Sequence, residues 1–166
     1  LIEHCQWYFW RQCDSMQQAL NYLLDEPAGR YSAEERHSLR KWLYDLYHDV
    51  FHDGDFGFWE DRLARLCYAM AVDSINTGNK ERSLTELAEM AEHCSKADSF
   101  NYIKHTSLLV NTLHYDAKQV AKSDPESLCS YFLKRLRNDC FQAIYKEPLF
   151  LSVQATLEQN NKNTPT

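Results

Sequence analysis

A chain of 166 residues has room for one domain with a real core, and a hydrophobic fraction of 44% sets it apart from disordered compositions. Four Gly and four Pro leave little turn chemistry for a many-stranded sheet, and a net charge of -6 argues against a free-standing nucleic-acid binder. No run of about 18 apolar residues marks a membrane helix, and no signal peptide is visible.

In chain order, residues 1–31 read as a helical hairpin. Ile2, Cys5, Tyr8 and Phe9 form one apolar stripe; Met16, Ala19, Leu20 and Leu23 form another, with Asp14-Ser15 as turn and cap between them. The chain enters at Leu1 as though in mid-helix, so an upstream segment is expected. Pro27-Ala28-Gly29 ends the second helix.

Ser32-Ala33-Glu34-Glu35 is a capping box, and the helix it opens carries Leu39, Trp42, Leu43, Leu46, Tyr47, Val50 and Phe51 on a wide stripe. Asp53 to Gly57 breaks it. The next helix runs from about Phe58 to Asn76 with Leu63, Leu66, Cys67, Met70 and Ile75 inside. Gly78-Asn79 turns the chain into a helix bearing Leu84, Leu87, Ala88, Ala91 and Cys94, so the two pack antiparallel.

A further helical pattern covers residues 100–116 through Tyr102, Leu108, Leu109 and Leu113. Ser123-Asp124-Pro125-Glu126 reads as a helix start, continued by Leu128, Phe132 and Leu136. Phe141, Ile144, Phe150, Val153 and Leu157 form the last element, interrupted by Pro148, and residues 160–166 read as a disordered polar tail. The expected fold is all-α, with about eight helices and the main helical domain at 32–159.

Candidate chemistry is sparse. Six scattered cysteines (Cys5, Cys13, Cys67, Cys94, Cys129, Cys140) read as reduced thiols of a cytoplasmic protein. His48 and His52 stand one helical turn apart, yet no HExxH arrangement fixes further metal ligands, and they read as the solvent edge of the stripe. Asp53, Asp55 and Glu60 do not meet the spacing of a calcium loop. No phosphate-cradling loop or GxSxG elbow occurs, so no enzyme activity, cofactor or metal is expected. The basic clusters Arg36, Arg40, Lys41 and Lys134, Arg135, Arg137 read as solvated faces.

The stretch from Leu63 to Cys94 resembles a tetratricopeptide (TPR) helical hairpin, with Gly78-Asn79 at the repeat's central turn and Met70-Ala71 at its Leu-Gly positions. Ser83 suits a small-residue position, whereas Met90 is large for one. A wider pattern covers residues 36–157: Asp53-Gly54-Asp55-Phe56-Gly57-Phe58, Asp61-Arg62-Leu63-Ala64, Gly78-Asn79-Lys80-Glu81, Ala91-Glu92-His93, then 106–111 and Tyr115-Asp116. This order resembles the carboxy-terminal helical region of XRE-type helix-turn-helix transcriptional regulators from Firmicutes.

That resemblance implies TPR-like hairpins in a short right-handed array, used for sensing, peptide binding or self-association. Any DNA contact would be made only through an upstream domain. Under the TPR alignment Arg65, Tyr68 and Asn76 face a peptide or protein partner, and His105 and Asn111 extend that face. A homodimer is expected, and no membrane association. The alternative is a generic TPR-like scaffold with no DNA-binding domain.

Overall fold

The computed structural model describes residues 1–24, 29–99, 101–116 and 126–163. Their order is α1 (Ile2–Leu24), α2 (Ala33–Val50), a 3-10 turn (Gly57–Trp59), α3 (Glu60–Asn76), α4 (Lys80–Ser99), β1 (Tyr102–Lys104), β2 (His114–Asp116), α5 (Leu128–Arg135), a second 3-10 turn (Asp139–Ile144) and α6 (Pro148–Asn163). The class is all-α, with one two-stranded exception.

The strongest local signals fold as their chemistry dictates. The Ser32 hydroxyl accepts the Glu35 amide at 3.2 Å, while the Glu35 carboxylate accepts the Ser32 amide at 2.8 Å, so α2 starts on a complete capping box. Its buried face is His37, Leu43, Tyr47 and Val50. Trp42, expected inside, is 54% exposed. It lies about 100° round the helix from Leu43, which takes the central position. Gly78, at φ 79°, closes α3, and the Asn79 amide returns to the Ser74 carbonyl at 2.9 Å. α3 and α4 then pack as an antiparallel hairpin. Small residues at Ala64, Ala71 and Ala91 let the helices approach closely, and the buried Ser83 hydroxyl donates to the Ala71 carbonyl.

Two apolar clusters result. The first joins α3, α4, α5 and α6 through Cys67, Met70, Leu87, Met90, Phe132, Phe141, Phe150 and Leu157. Asp98 on α4 seats α5 there by accepting the Leu128 and Cys129 amides at 2.8 and 2.9 Å, a carboxylate at the positive end of a helix. The second cluster gathers Leu43, Tyr47, Phe51, Phe56, Trp59 and Leu63 beneath α1, which adds Cys13, Leu20 and Leu24.

Five expectations are corrected. The hairpin expected in residues 1–31 is a single helix through Leu24. Asp14-Ser15 continues the helix: Asp14 is engaged by Arg62 at 2.7 Å, and the Ser15 hydroxyl donates to the Arg11 carbonyl one turn back. Pro27 and Ala28 lie outside the described residues. The helix expected over 100–116 is a β-hairpin, pairing Tyr102 with Asp116, Ile103 with Tyr115 and Lys104 with His114. Here Asp53 outcompetes helix formation, its carboxylate accepting the Thr106 amide, the Thr106 hydroxyl and the Ser107 amide at 2.8, 2.9 and 3.2 Å. Gly57 at φ 54° admits the hairpin, because a Cβ there would meet Ile103 Cδ1 at 3.0 Å.

α5 begins later than expected, at Leu128, with Ser127 as its N-cap; 123–125 lie outside the described residues. Pro148 opens α6 rather than interrupting it, as its fixed φ and missing N–H allow in the first helical turn. That helix continues to Asn163 through much of the expected tail, Asn160 donating to the Ser95 hydroxyl on α4 at 2.7 Å. Residues 164–166 lie outside the described residues.

Candidate interaction surfaces

The five residues expected to face a partner do not form one surface. Arg65 and Tyr68 do come together, where the middle of α3 meets α5. The Arg65 guanidinium lies 5.1 Å from the Tyr131 ring centre, and the Arg135 guanidinium lies 4.5 Å from it. Tyr68 packs at a tilt on Phe132, 5.2 Å between ring centres, and donates from its hydroxyl to the Arg135 carbonyl at 3.3 Å. Asp61 holds Arg65 in place at 3.0 Å. Asp61 raises the Arg65 pKa against a burial that lowers it, so the guanidinium keeps its charge.

Arg65 and Arg135 are exposed and Tyr131 is half-buried; Lys134 and Arg137, near Arg135 in the chain, are exposed too, Lys134 being paired with Glu126. Among the described residues neither Arg135 nor Arg137 has an ion-pair partner. Sequence reading missed Tyr131 and placed Arg135 in an ordinary solvated face. The i, i+4 spacing of these two on α5 was the available signal.

The other three lie elsewhere. Asn76 is exposed in the last turn of α3, about 16 Å along the helix from Arg65. His105 is 1% exposed, with its ring 4.9 Å from Phe51, and burial lowers its pKa so that the neutral imidazole is favoured. Asn111 accepts the Gln6 side-chain amide at 2.9 Å. The same Gln6 donates to the Leu108 carbonyl at 2.9 Å and accepts the Thr112 amide and hydroxyl at 2.8 and 2.6 Å, tying α1 to the loop before β2.

A second set of polar residues, invisible in the sequence, ties α2, α3 and α4 together. Asp73, 2% exposed, accepts from Arg36 at 2.9 Å and from Arg40. These arginines are therefore structural partners of a buried carboxylate and not the solvated face expected of them. Glu86 pairs with His37 and accepts the Ser74 hydroxyl at 2.7 Å, and Ser74 in turn accepts Arg82 Nε at 2.9 Å. His93 Nδ1 lies 2.6 Å from Glu60, and its Nε2 lies 3.3 Å from the Tyr44 hydroxyl.

An open cleft of about 430 Å³ borders this network between Lys41, Arg82, Glu86 and Glu89. Its charged groups are largely engaged already, Lys41 by Asp45, Arg82 by Glu34 and Glu86 by His37. Ser74 is fully buried with its hydroxyl engaged on both sides, so it stands as a tie between helices.

His48 packs against Tyr44 and Phe56 at ring distances of 4.5 and 4.7 Å, while His52 is exposed. Among the described residues no group of three potential ligands converges on a metal-sized site. All six thiols are free. Burial pushes Cys13 up to about 11 and holds Cys67, Cys94 and Cys129 well above the ordinary thiol range, so these four stay protonated and inert.

The remaining surface feature is α1. Seven of the fourteen exposed large apolar side chains in the described structure sit on this one helix: Ile2, Trp7, Tyr8, Phe9, Met16, Tyr22 and Leu23. Its buried residues are Gln6, Cys13, Gln17, Leu20 and Leu24, so two glutamines face inward where the sequence offered apolar residues. Gln17 is accommodated because its carbonyl oxygen accepts the Tyr47 hydroxyl at 2.5 Å.

No helix among the described residues is long and apolar enough to cross a membrane. Compared with known proteins, the chain matches no family model, no curated protein and no solved structure.

Proposed function

We propose that this chain is the sensory or protein-interaction region of a cytoplasmic helix-turn-helix transcriptional regulator, in which TPR-like hairpins receive a peptide or protein partner. The observation that supports it best is the Arg65–Tyr131–Arg135 surface: two exposed guanidinium groups share one tyrosine ring beside Tyr68, on a chain of net charge -6. Arg and Tyr are the residue types that anchor interfaces, and the Arg135 guanidinium, with no ion-pair partner among the described residues, fits a carboxylate beside Arg65, which Asp61 already holds. The suited partner is therefore an acidic peptide segment or a free C-terminal carboxylate. The ordered motifs from Asp53 to Asp116 support the regulator context. In that context DNA is contacted through an upstream domain, and a partner that favours one packing of the hairpins shifts how paired DNA-binding domains are presented.

The test is a peptide array holding acidic segments and free or amidated C-termini, read against the wild-type chain and an Arg65→Ala/Arg135→Ala variant. Binding by acidic or free-carboxylate peptides that weakens at least about tenfold in a variant of unchanged helicity is the expected result. Equal affinity in the two proteins, or no peptide bound by either, overturns the surface assignment. A generic TPR-like scaffold is the alternative. The encoded residues upstream of Leu1 discriminate, since the regulator reading requires a compact, basic five-helix pattern there. A second reading, self-association, is favoured by the outer face of α1.

A further inference from the structure

α1 carries two stripes at helical spacing. The inner one (Gln6, Trp10, Cys13, Gln17, Leu20, Leu24) faces the second cluster. The outer one is Ile2, Cys5, Phe9, Gln12, Met16, Ala19 and Leu23, every member exposed and none charged. Its spacing alternates three and four residues, the repeat that lets one helix lie along another. Glu3, Arg11 and Asp14 fall outside it at about 100° per residue.

Its composition also has an order. The positions seven apart, Ile2, Phe9, Met16 and Leu23, are all large. Those between them, Cys5, Gln12 and Ala19, are all smaller.

We infer that this outer stripe is the seam of a two-fold dimer, in which α1 packs antiparallel on α1 of a second copy of this chain. The inference rests on the self-association reading and adds the surface, the occupant and the orientation. A two-fold interface needs a self-complementary patch. Antiparallel pairing supplies one, because it sets each large position against a smaller position of the other copy. One register puts Met16 against the partner's Cys5, and the next puts Leu23 against the partner's Cys5 and Phe9 against the partner's Ala19. Parallel pairing would oppose Phe9 to the partner's Phe9 and leave a gap at each small position, which packs poorly. Antiparallel helices also oppose their dipoles.

The area is sufficient. Ile2, Tyr8, Phe9, Met16 and Leu23 together expose on the order of 500 Å², so a pair of copies brings about 1,000 Å², the lower bound of a specific interface.

Light scattering on the 166-residue chain over a dilution series tests the surface. The expected mass is twice 19.6 kDa, falling to the single-chain value in Phe9→Glu, with affinity weakened at least about thirtyfold. Phe9 is 39% exposed and no member of the cluster beneath α1, so circular dichroism should be unchanged; Ala19→Glu, at a smaller exposed position, provides a second variant that keeps the test should Phe9→Glu disturb the helix. Orientation is read by oxidative cross-linking in a Cys140→Ser background, where Cys5 is the one exposed thiol. Either Met16→Cys or Leu23→Cys should give a cross-linked dimer that Cys5 alone does not.

A single-chain mass throughout overturns the self-association reading and this inference together, leaving the peptide surface to its own test. A dimer indifferent to both Glu variants keeps self-association and removes α1 as its seam. Efficient cross-linking through Cys5 alone, with neither added cysteine effective, overturns the antiparallel arrangement.

Discussion

The two apolar clusters are closed by different means. The cluster around α3 and α4 is made of Ala, Met, Leu, Ile, Val, Cys and Phe side chains from α3, α4, α5, α6 and the second 3-10 turn. The cluster under α1 is aromatic, with Tyr47, Phe51, Phe56 and Trp59 at its centre, and α1 is fixed to it by Trp10, Cys13, Leu20 and Leu24 and by polar pegs. Gln6 spans to the loop before β2, Gln17 reaches Tyr47, and Asp14 meets Arg62. One region is held mainly by area, and the other by area and registry together. A helix fixed partly by registry leaves other apolar residues free for another surface, and α1 does so.

The largest test of that contrast is Trp59→Ala. Trp59 is fully buried against Tyr47 and Trp10, each 5.0 Å away between ring centres, so the substitution should cost about 3–5 kcal/mol in urea unfolding. Loss of the α1 contacts in a separate early transition would show that the two clusters unfold independently. A single transition would show that α3, which serves both, couples them.

A smaller effect probes the pegs. Gln17→Leu leaves the buried Tyr47 hydroxyl without its acceptor and should cost about 1–3 kcal/mol; adding Tyr47→Phe should recover most of it, because both polar partners are then gone. Equal costs for the single and double variants would assign Gln17 a packing role only.

The smallest effect is in acid. Burial raises the Asp53 pKa, and the hydrogen bonds from Thr106, Asp55 and Ser107 outweigh it, so the net shift is downward. The unfolded chain then takes up this proton first as pH falls. The stabilisation is complete above the ordinary carboxylate range and is lost on acidification through it, below about pH 4. Asp53→Asn should flatten that acid limb in pH-dependent unfolding. An unaltered limb would mean that Asp53 orders the β-hairpin without contributing to its pH dependence.

Legibility followed the range of the interaction. Ser32 and Glu35 are three residues apart, and Gly78 needs only its own backbone, so α2 and the α3–α4 turn could be read directly. Residues 100–116 could not, because the group that organises them, Asp53, is more than fifty residues away. Arg65 and Tyr68 were legible as helix-face residues, whereas Tyr131 joins them only when α5 docks on α3. The buried Asp73, Glu86 and Glu60 resemble ordinary surface acids until Arg36, His37 and His93 arrive from other helices.

The sequence by itself determined the helical class, the capping box, the α3–α4 hairpin and most of the first cluster, since these depend on periodicity and local backbone geometry. Only the tertiary structure decided which face of α1 points inward. Apolarity alone favours Ile2, Phe9 and Met16, but Gln6 and Gln17 match particular donors and acceptors on α2 and the loop before β2. A burial choice made by such matches is not encoded in the hydrophobic pattern of the helix that makes it.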